Sequence, residues 1–159
     1  MNKNIAYQVT VTQEVSLVVL NKAPSDLCFI SSVFEALAAA DINIDMISQS
    51  PPQGTASSLS FTIADSDLGK TIEIISQLRE VYPQLRSAVS SGNYKVLVSS
   101  DQMRDMPGVA YMVFRAVASL HTDIRMITTS EVDISLLITQ PDSETVVQAI
   151  QEALSKTEE

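Results

Sequence analysis

The feature that most constrains this fold is an internal repeat with an offset of 80 residues. Residues 33–50 align with residues 113–130 without a gap, and eight of the eighteen aligned positions carry the same residue. In the first copy the matching residues are Val33, Phe34, Ala36, Ala38, Ile44, Met46, Ile47 and Ser50. Because a repeated unit indicates a repeated architecture, we expect two small domains rather than one large domain in the 159 residues.

Hydrophobic periodicity predicts the order strand–helix–strand–strand–helix–strand for the first copy, which is the ferredoxin-like order. Its strands are expected at residues 15–20, 43–50, 58–63 and 85–89. Its helices are expected to bury Leu27, Ile30, Phe34 and Leu37 in one, and Ile72, Ile75 and Leu78 in the other. The second copy repeats this order from residue 94. Its helices are expected to bury Val109, Val113, Val117 and Leu120 in one, and Val147, Ile150 and Leu154 in the other, but its sixth element is missing.

The N-terminal strand, residues 5–12, is surplus to the first copy and can supply the missing element. An incomplete sheet would leave a long open edge, which proteins avoid. We therefore predict an α+β fold of two ferredoxin-like (βαββαβ) domains, with the first nested in the second. Residues 13–90 form the first domain, and residues 5–12 with 93–154 form the second. The boundary is expected at Ser90–Asn93.

Charge and composition disfavour several classes of partner. Lys plus Arg is 10 and Asp plus Glu is 19, so the net charge is −9, and there is no Trp. Nucleic acids and anionic membranes require a basic surface, so neither is an expected partner. We find no signal peptide pattern and no apolar run near the ~20 residues of a membrane span, and we predict a cytoplasmic protein.

Catalytic and metal-binding patterns are poorly represented. His121 is the single histidine, and Cys28 is the single cysteine, which we expect to be buried and inert. Phosphate-binding glycine motifs, a nucleophile elbow and Cys/His metal spacings are all missing from the sequence. We predict that the chain is not an enzyme, has no catalytic residues and uses no metal or other cofactor.

The residues at the two helix entrances form the first part of a candidate site. Ser25 and Asp26 precede the first repeated helix, and Met106, Pro107 and Gly108 open the second. Helix N-termini have free backbone N–H groups and a partial positive charge, which suit a carboxylate.

The repeated strand forms the second part, because Asn43, Asp45, Ile47 and Gln49 share one of its faces. Asp45 supplies a negative charge for an ammonium group. Together the two parts suit a free amino acid, and ordinary helix capping with exposed strand residues is the alternative interpretation.

The repeated segments resemble a known family. Residues 33–50, VFEALAAADINIDMISQS, strongly resemble the first ACT domain in the regulatory part of aspartate kinases. Residues 106–138 resemble the second ACT domain of that family, including Pro107–Gly108–Val109, Met126–Ile127 and Thr129–Ser130–Glu131. The resemblance implies nested tandem ACT domains that pair within and between chains. It also implies that they bind lysine, threonine or both at ACT–ACT interfaces and so inhibit the kinase.

Carried over by position, the resemblance implies ligand-binding residues at both helix entrances and both strands. These are Ser25, Asp26, Asn43, Ile44, Asp45, Gln49, Met106, Gly108, Val109, Ser130 and Glu131. The sequence departs from the family at Leu27–Cys28, where Pro-Gly is usual. Arg125 stands where the first copy has Asp45, so the two copies cannot bind the same ligand in the same way.

The kinase domain of the family has no counterpart in the 159 residues. The leading hypothesis is a non-catalytic regulatory module that senses lysine, favoured by Asp45, or threonine. Its expected partners are a second copy, through ACT–ACT contacts, and an aspartate kinase catalytic chain. The alternative is a dimerisation module whose ligand site has decayed. A native subunit, a free-standing regulator and an excised domain remain open, and a small enzyme or an RNA-binding protein is disfavoured.

Overall fold

The computed structural model describes residues 6–155 of the chain, which fold into an α+β architecture. Its strands are β1 (Gln8–Pro24), β2 (Ile47–Gln49), β3 (Ala56–Ala64), β4 (Arg86–Ser99), β5 (Ile124–Thr129) and β6 (Asp133–Thr139). Its helices are α1 (Leu27–Ala39), α2 (Leu68–Val81), α3 (Val109–Ala118) and α4 (Ser143–Ser155). Short 3-10 helices cover Asp65–Asp67, Asp101–Asp105 and Gln140–Asp142.

These elements form two compact units. The inserted unit is Glu14–Gly92, and the split unit consists of the described residues up to Gln13 and those from Asn93 onward. The strand order is β2-β3-β1-β4 in the inserted unit and β1-β4-β6-β5 in the split unit. With two helices each, both units have the ferredoxin-like arrangement, which confirms the predicted fold class.

In the inserted unit, β3 pairs antiparallel with both β1 and β2. The core contains the alternate β1 residues Val18 and Leu20, with Phe61 of β3, because side chains of a strand point to opposite faces in turn. Phe29 of α1 meets Tyr82 edge to face at 5.0 Å. Each large apolar side chain buried in this way contributes roughly 1.5–3 kcal/mol.

The split unit has the same plan. Strand β6 pairs antiparallel with β4 and β5, and its residues Ile134, Leu136 and Ile138 enter the core. The core residues of α3 follow a helical spacing of four. They are Val109, Val113 and Val117, as predicted.

Two predicted chain breaks lie inside continuous strands. The sequence predicts separate strands at 5–12 and 15–20, and a strand at 85–89 that ends before the second copy begins at residue 94, whereas β1 and β4 run through both regions. The two units nevertheless divide between Gly92 and Asn93. Glu14 and Gly92 have φ angles of 55° and 69°, and such left-handed residues bend a strand without ending it. Ile5, which the predicted N-terminal strand includes, lies outside the described residues.

Helix α1 buries a face that is rotated from the predicted one, although Leu37 is buried as predicted and Ile30 and Phe34 pack partly against the core. Phe29, Val33 and Leu37 are buried, whereas Leu27 is 80% exposed. Leu27 precedes Phe29 by two residues, or about 200° around the helix, so the two side chains point in nearly opposite directions. Cys28, predicted to be buried, is also exposed.

Two smaller predictions also need correction. In α2, Ile75 is buried as predicted, whereas Ile72 is exposed and Thr71 is buried in its place. Strand β2 is shorter than the predicted 43–50, although Asp45 N–H donates to Thr62 O at 3.2 Å, so the contact with β3 begins before the strand.

No helix within residues 6–155 is long and apolar enough to cross a membrane. The cytoplasmic location expected from the sequence stays a prediction.

Candidate functional site

The start of helix α3 is open to a ligand. Gly108 is its N-cap residue, with a φ of 98° and no side-chain hydrogen bond to the first turn. The first bond within the helix runs from Met112 N–H to Gly108 O at 3.1 Å. The N–H groups of Val109 and Ala110 therefore have no partner within the helix, and their partial positive charge suits an anion.

A cavity of about 310 Å³ lies at this helix start. It is lined by Met103, Arg104, Met106, Gly108, Val109, Ala110, Thr129, Ser130, Glu131 and Ile134. All five site residues predicted in the second copy are among them, so the structure brings this half of the predicted site together. The volume lies at the small end of the range for ligand cavities.

The charged groups of this cavity are paired. Arg104 Nε lies 2.9 Å from Glu131 Oε2. The hydroxyl of Ser130 is hydrogen-bonded within the turn between β5 and β6. It donates to Asp133 Oδ2 at 2.7 Å and accepts from Val132 N–H at 3.2 Å. Ser130 thus positions the turn that presents Glu131 to the cavity.

The start of helix α1 is closed by the chain itself. The carboxylate of Asp26 accepts a hydrogen bond from Phe29 N–H at 2.8 Å and caps the helix. The backbone N–H of Ser25 donates to Thr55 O at 3.1 Å. An N-cap carboxylate satisfies a free N–H and offsets the helix dipole, so an incoming carboxylate would meet a negative charge.

The predicted strand residues of the first copy do not line the cavity at α3. Asn43 and Asp45 are exposed, and Ile44 packs against the core of the inserted unit. Gln49 Nε2 donates to Ser57 Oγ at 3.4 Å. None of these four residues, nor Ser25 or Asp26, lines the cavity at α3, and none lines the two other cavities described below.

Sequence reasoning missed Met103, Arg104 and Thr129 as lining residues. The chain between the last buried strand residue and the first buried helix residue is longer in the second copy (Val98 to Val109) than in the first (Ala23 to Phe29). The additional length forms the 3-10 helix Asp101–Asp105 and brings Arg104 to the cavity. This difference in length is the signal from which Arg104 could have been found.

Two other cavities have no predicted site residue. One, of about 760 Å³, lies in the split unit between α4 and β1 and includes Gln13, Tyr94 and Gln148. The other, of about 330 Å³, lies in the inserted unit and includes Lys22, Ser50 and Ser58.

Other titratable and metal-binding groups add little. Burial raises the pKa of the Tyr7 hydroxyl above its usual value, and this oxygen has no hydrogen-bond partner among the described residues. Residues 6–155 hold no cluster of His, Cys, Asp or Glu that fits a metal ion. Arg125, which replaces Asp45 in the second copy, pairs with Asp123 at 2.8 Å rather than facing the cavity.

Comparison with known proteins identifies the two repeated segments. The family model described as ACT domain matches residues 29–78 and 96–154. An aspartokinase from Geobacillus stearothermophilus is 31% identical over 157 residues, which cover 99% of this chain and 37% of that protein. The chain thus spans little more than a third of that relative.

Solved structures agree in fold. The ligand-free regulatory subunit of aspartate kinase from Thermus thermophilus has a TM-score of 0.83 at 26% identity, covering 95% of this chain and 99% of that chain. The aspartate kinase from Synechocystis has a TM-score of 0.85 at 28% identity, covering 94% of this chain and 26% of that one. The tandem arrangement predicted from the repeat therefore has solved counterparts.

Proposed function

Because this chain belongs to the ACT domain family, we propose that it is a non-catalytic regulatory module of an aspartate kinase that binds a free amino acid. Each unit is one ACT domain in this proposal, with residues 13–90 inserted between residues 5–12 and 93–154. Relatives of two kinds support it. The Geobacillus relative is an aspartokinase, and the Thermus relative, of nearly the same length as this chain, is a regulatory subunit.

The observation that carries the proposal is the open start of α3 beside a carboxylate. The N–H groups of Val109 and Ala110 can receive the carboxylate of an amino acid, and Glu131 can receive its ammonium group. The apolar side chains of Met103, Met106 and Ile134 would surround the ligand side chain. The remaining predicted residues line none of the three cavities described above; they are Ser25, Asp26, Asn43, Ile44, Asp45 and Gln49.

The charge of the cavity favours threonine over lysine as its ligand. Among its lining residues Arg104 and Glu131 carry the charges, and they cancel. An amino acid with an uncharged side chain has no net charge and matches this balance, whereas lysine brings an additional positive charge that finds no second carboxylate in the lining. Asp45, which favoured lysine in the sequence, does not line this cavity.

Regulation requires that the ligand bind two arrangements of the assembly with different affinity. We propose that the regulatory assembly is a homodimer. Its partner would be a kinase catalytic chain that responds to the arrangement of this assembly. Strand β2 is one end of the strand order in the inserted unit, and β5 is one end of the order in the split unit. Their residues Ile47 and Ile127 are 49% and 45% exposed. Open strand edges with apolar side chains are suited to pairing with another chain.

The second candidate function is a dimerisation module in which ligand binding has been lost. The Asp26 cap favours it for the first copy, because the helix start that the family resemblance assigns to a ligand is filled by the chain's own carboxylate. The open start of α3 favours amino-acid binding for the second copy.

Isothermal titration calorimetry of the full chain against threonine, lysine and methionine tests the proposed function. We expect threonine to bind more tightly than lysine, and Glu131→Gln to weaken binding by up to about fivefold, since an ion pair with a side chain that is 74% exposed contributes up to about 1 kcal/mol. Glu152→Gln is the matched control, because Glu152 is exposed on α4 and bonds to Gln148.

The absence of heat with all three amino acids, both alone and in complex with a kinase catalytic chain, would leave the dimerisation module as the better hypothesis.

A further inference from the structure

We propose that Arg104 is an internal competitor of the ligand, holding the carboxylate of Glu131 until an ammonium group displaces it. This inference deepens the proposed function and rests on it. Its starting point is that the guanidinium of Arg104 already makes, at 2.9 Å, the contact with Glu131 that an amino acid's ammonium group would make.

The backbone around both residues is fixed by local hydrogen bonds. On the Arg104 side, Ser100 accepts from Gln102 N–H through its hydroxyl and from Met103 N–H through its carbonyl. On the Glu131 side, the turn is closed by Ser130 N–H donating to Asp133 O at 3.0 Å. Exchange of partners at Glu131 therefore needs only side-chain rotation, without rearrangement of the backbone.

The ion pair between Arg104 and Glu131 is weak enough for a ligand to displace Arg104. The side chains of Arg104 and Glu131 are 62% and 74% exposed. Solvent screens such a pair, which typically contributes between zero and about 1 kcal/mol. Removing the competitor should therefore tighten ligand binding by up to about fivefold, because about 1.4 kcal/mol corresponds to a factor of ten.

The competitor is specific to the second copy. Pro51 stands 80 residues before Glu131 and has neither a charge nor a backbone N–H group. Arg104 belongs to the 3-10 helix Asp101–Asp105, for which the shorter connection of the first copy leaves no counterpart. The ion pair therefore occurs beside the open helix start and not beside the one that Asp26 caps.

The test is calorimetric titration of threonine and methionine into the full chain and into Arg104→Gln, at low and at high salt. We expect Arg104→Gln to bind about two- to fivefold more tightly than the unmodified chain. The gain should shrink at high salt, because salt screens an exposed ion pair. Arg125→Gln is the matched control, since it removes the same charge from the exposed pair with Asp123 outside the cavity.

The outcomes separate the two proposals. Weaker binding by Arg104→Gln would mean that Arg104 holds the ligand carboxylate, and equal affinities would mean that the pair does not compete; either result overturns this inference and leaves the proposed function intact. An equal gain in Arg125→Gln would also overturn it, by indicating a general effect of charge. No binding by any variant, both alone and in complex with a kinase catalytic chain, would overturn both proposals.

Discussion

The two helix starts of this protein differ in their N-cap residue. Helix α1 begins after Asp26, whose carboxylate bonds to the first turn, and α3 begins after Gly108, which has no side chain to do so. The N-cap residue therefore closes one helix to anions and leaves the other open, although the repeat offset of 80 aligns Gly108 with Cys28 and not with Asp26. The asymmetry that the sequence shows at Leu27–Cys28 has this physical consequence.

Replacing Gly108 by Ala should lower the free energy of unfolding by roughly 1–2 kcal/mol, because its φ of 98° is strained for a residue with a Cβ atom. The space around it is empty, so the cost is conformational rather than steric. Gly69→Ala is the matched control, since Gly69 lies inside α2, also with empty space around it, and should gain about 0.5–1 kcal/mol. Urea unfolding measures both, and changes of the same sign would contradict the prediction.

At the scale of elements, Asp65 links three segments of the inserted unit. This carboxylate, in the 3-10 helix before α2, accepts from Ser16 Oγ of β1 at 2.6 Å and from Gly92 N–H of β4 at 3.1 Å. Gly92 is the last residue of the inserted unit, and Ser16 stands near its first. Asp65 thus fixes both strands where the chain enters and leaves the unit.

Asp65→Ala should therefore destabilise the protein by about 1–3 kcal/mol, because the buried Ser16 hydroxyl and the Gly92 N–H lose their acceptor. Hydrogen exchange of the Gly92 amide should accelerate along with it. Asp67→Ala is the control: the Asp67 side chain does not cap α2, and the change should stay within about 0.5 kcal/mol. If the two variants exchange and unfold alike, the linking role of Asp65 is wrong.

At the scale of the whole molecule, the proposed assembly depends on the edge strands β2 and β5. Ile47 and Ile127 occupy equivalent positions of the repeat, and both are about half exposed. An apolar side chain on an open strand edge favours pairing with a second copy, and a charge there opposes it.

Ile127→Lys and Ile47→Lys should each weaken self-association of the full chain by about tenfold or more, because a lysine at an apolar contact must lose its hydration. Sedimentation velocity over a range of concentrations measures the effect. Ile72→Lys, on the exposed side of α2, is the control and should leave self-association unchanged. A dimer that survives both edge substitutions would have to use another surface.

Most of the fold could be predicted from the sequence, because hydrophobic periodicity is local. The α3 residues Val109, Val113 and Val117 were predicted correctly from their spacing. The prediction for α1 chose Leu27 instead of Phe29, although the repeat itself aligns Phe29 with Val109. When a helix has many apolar residues, its sequence alone does not show which face is buried. Alignment with the second copy identifies the buried face of α1.

The sequence by itself determined the repeat and the βαββαβ order, since each depends on residue type and spacing along the chain. The resemblance to a known family implied five residues that line the α3 cavity. Only the tertiary structure decided that Asp26 caps α1, that Arg104 pairs with Glu131 and that β1 and β4 run unbroken through Glu14 and Gly92. The physical reason is that a carboxylate or guanidinium can bond to any partner within reach. Which partner it meets depends on loop conformation and on contacts between residues that are distant in the sequence.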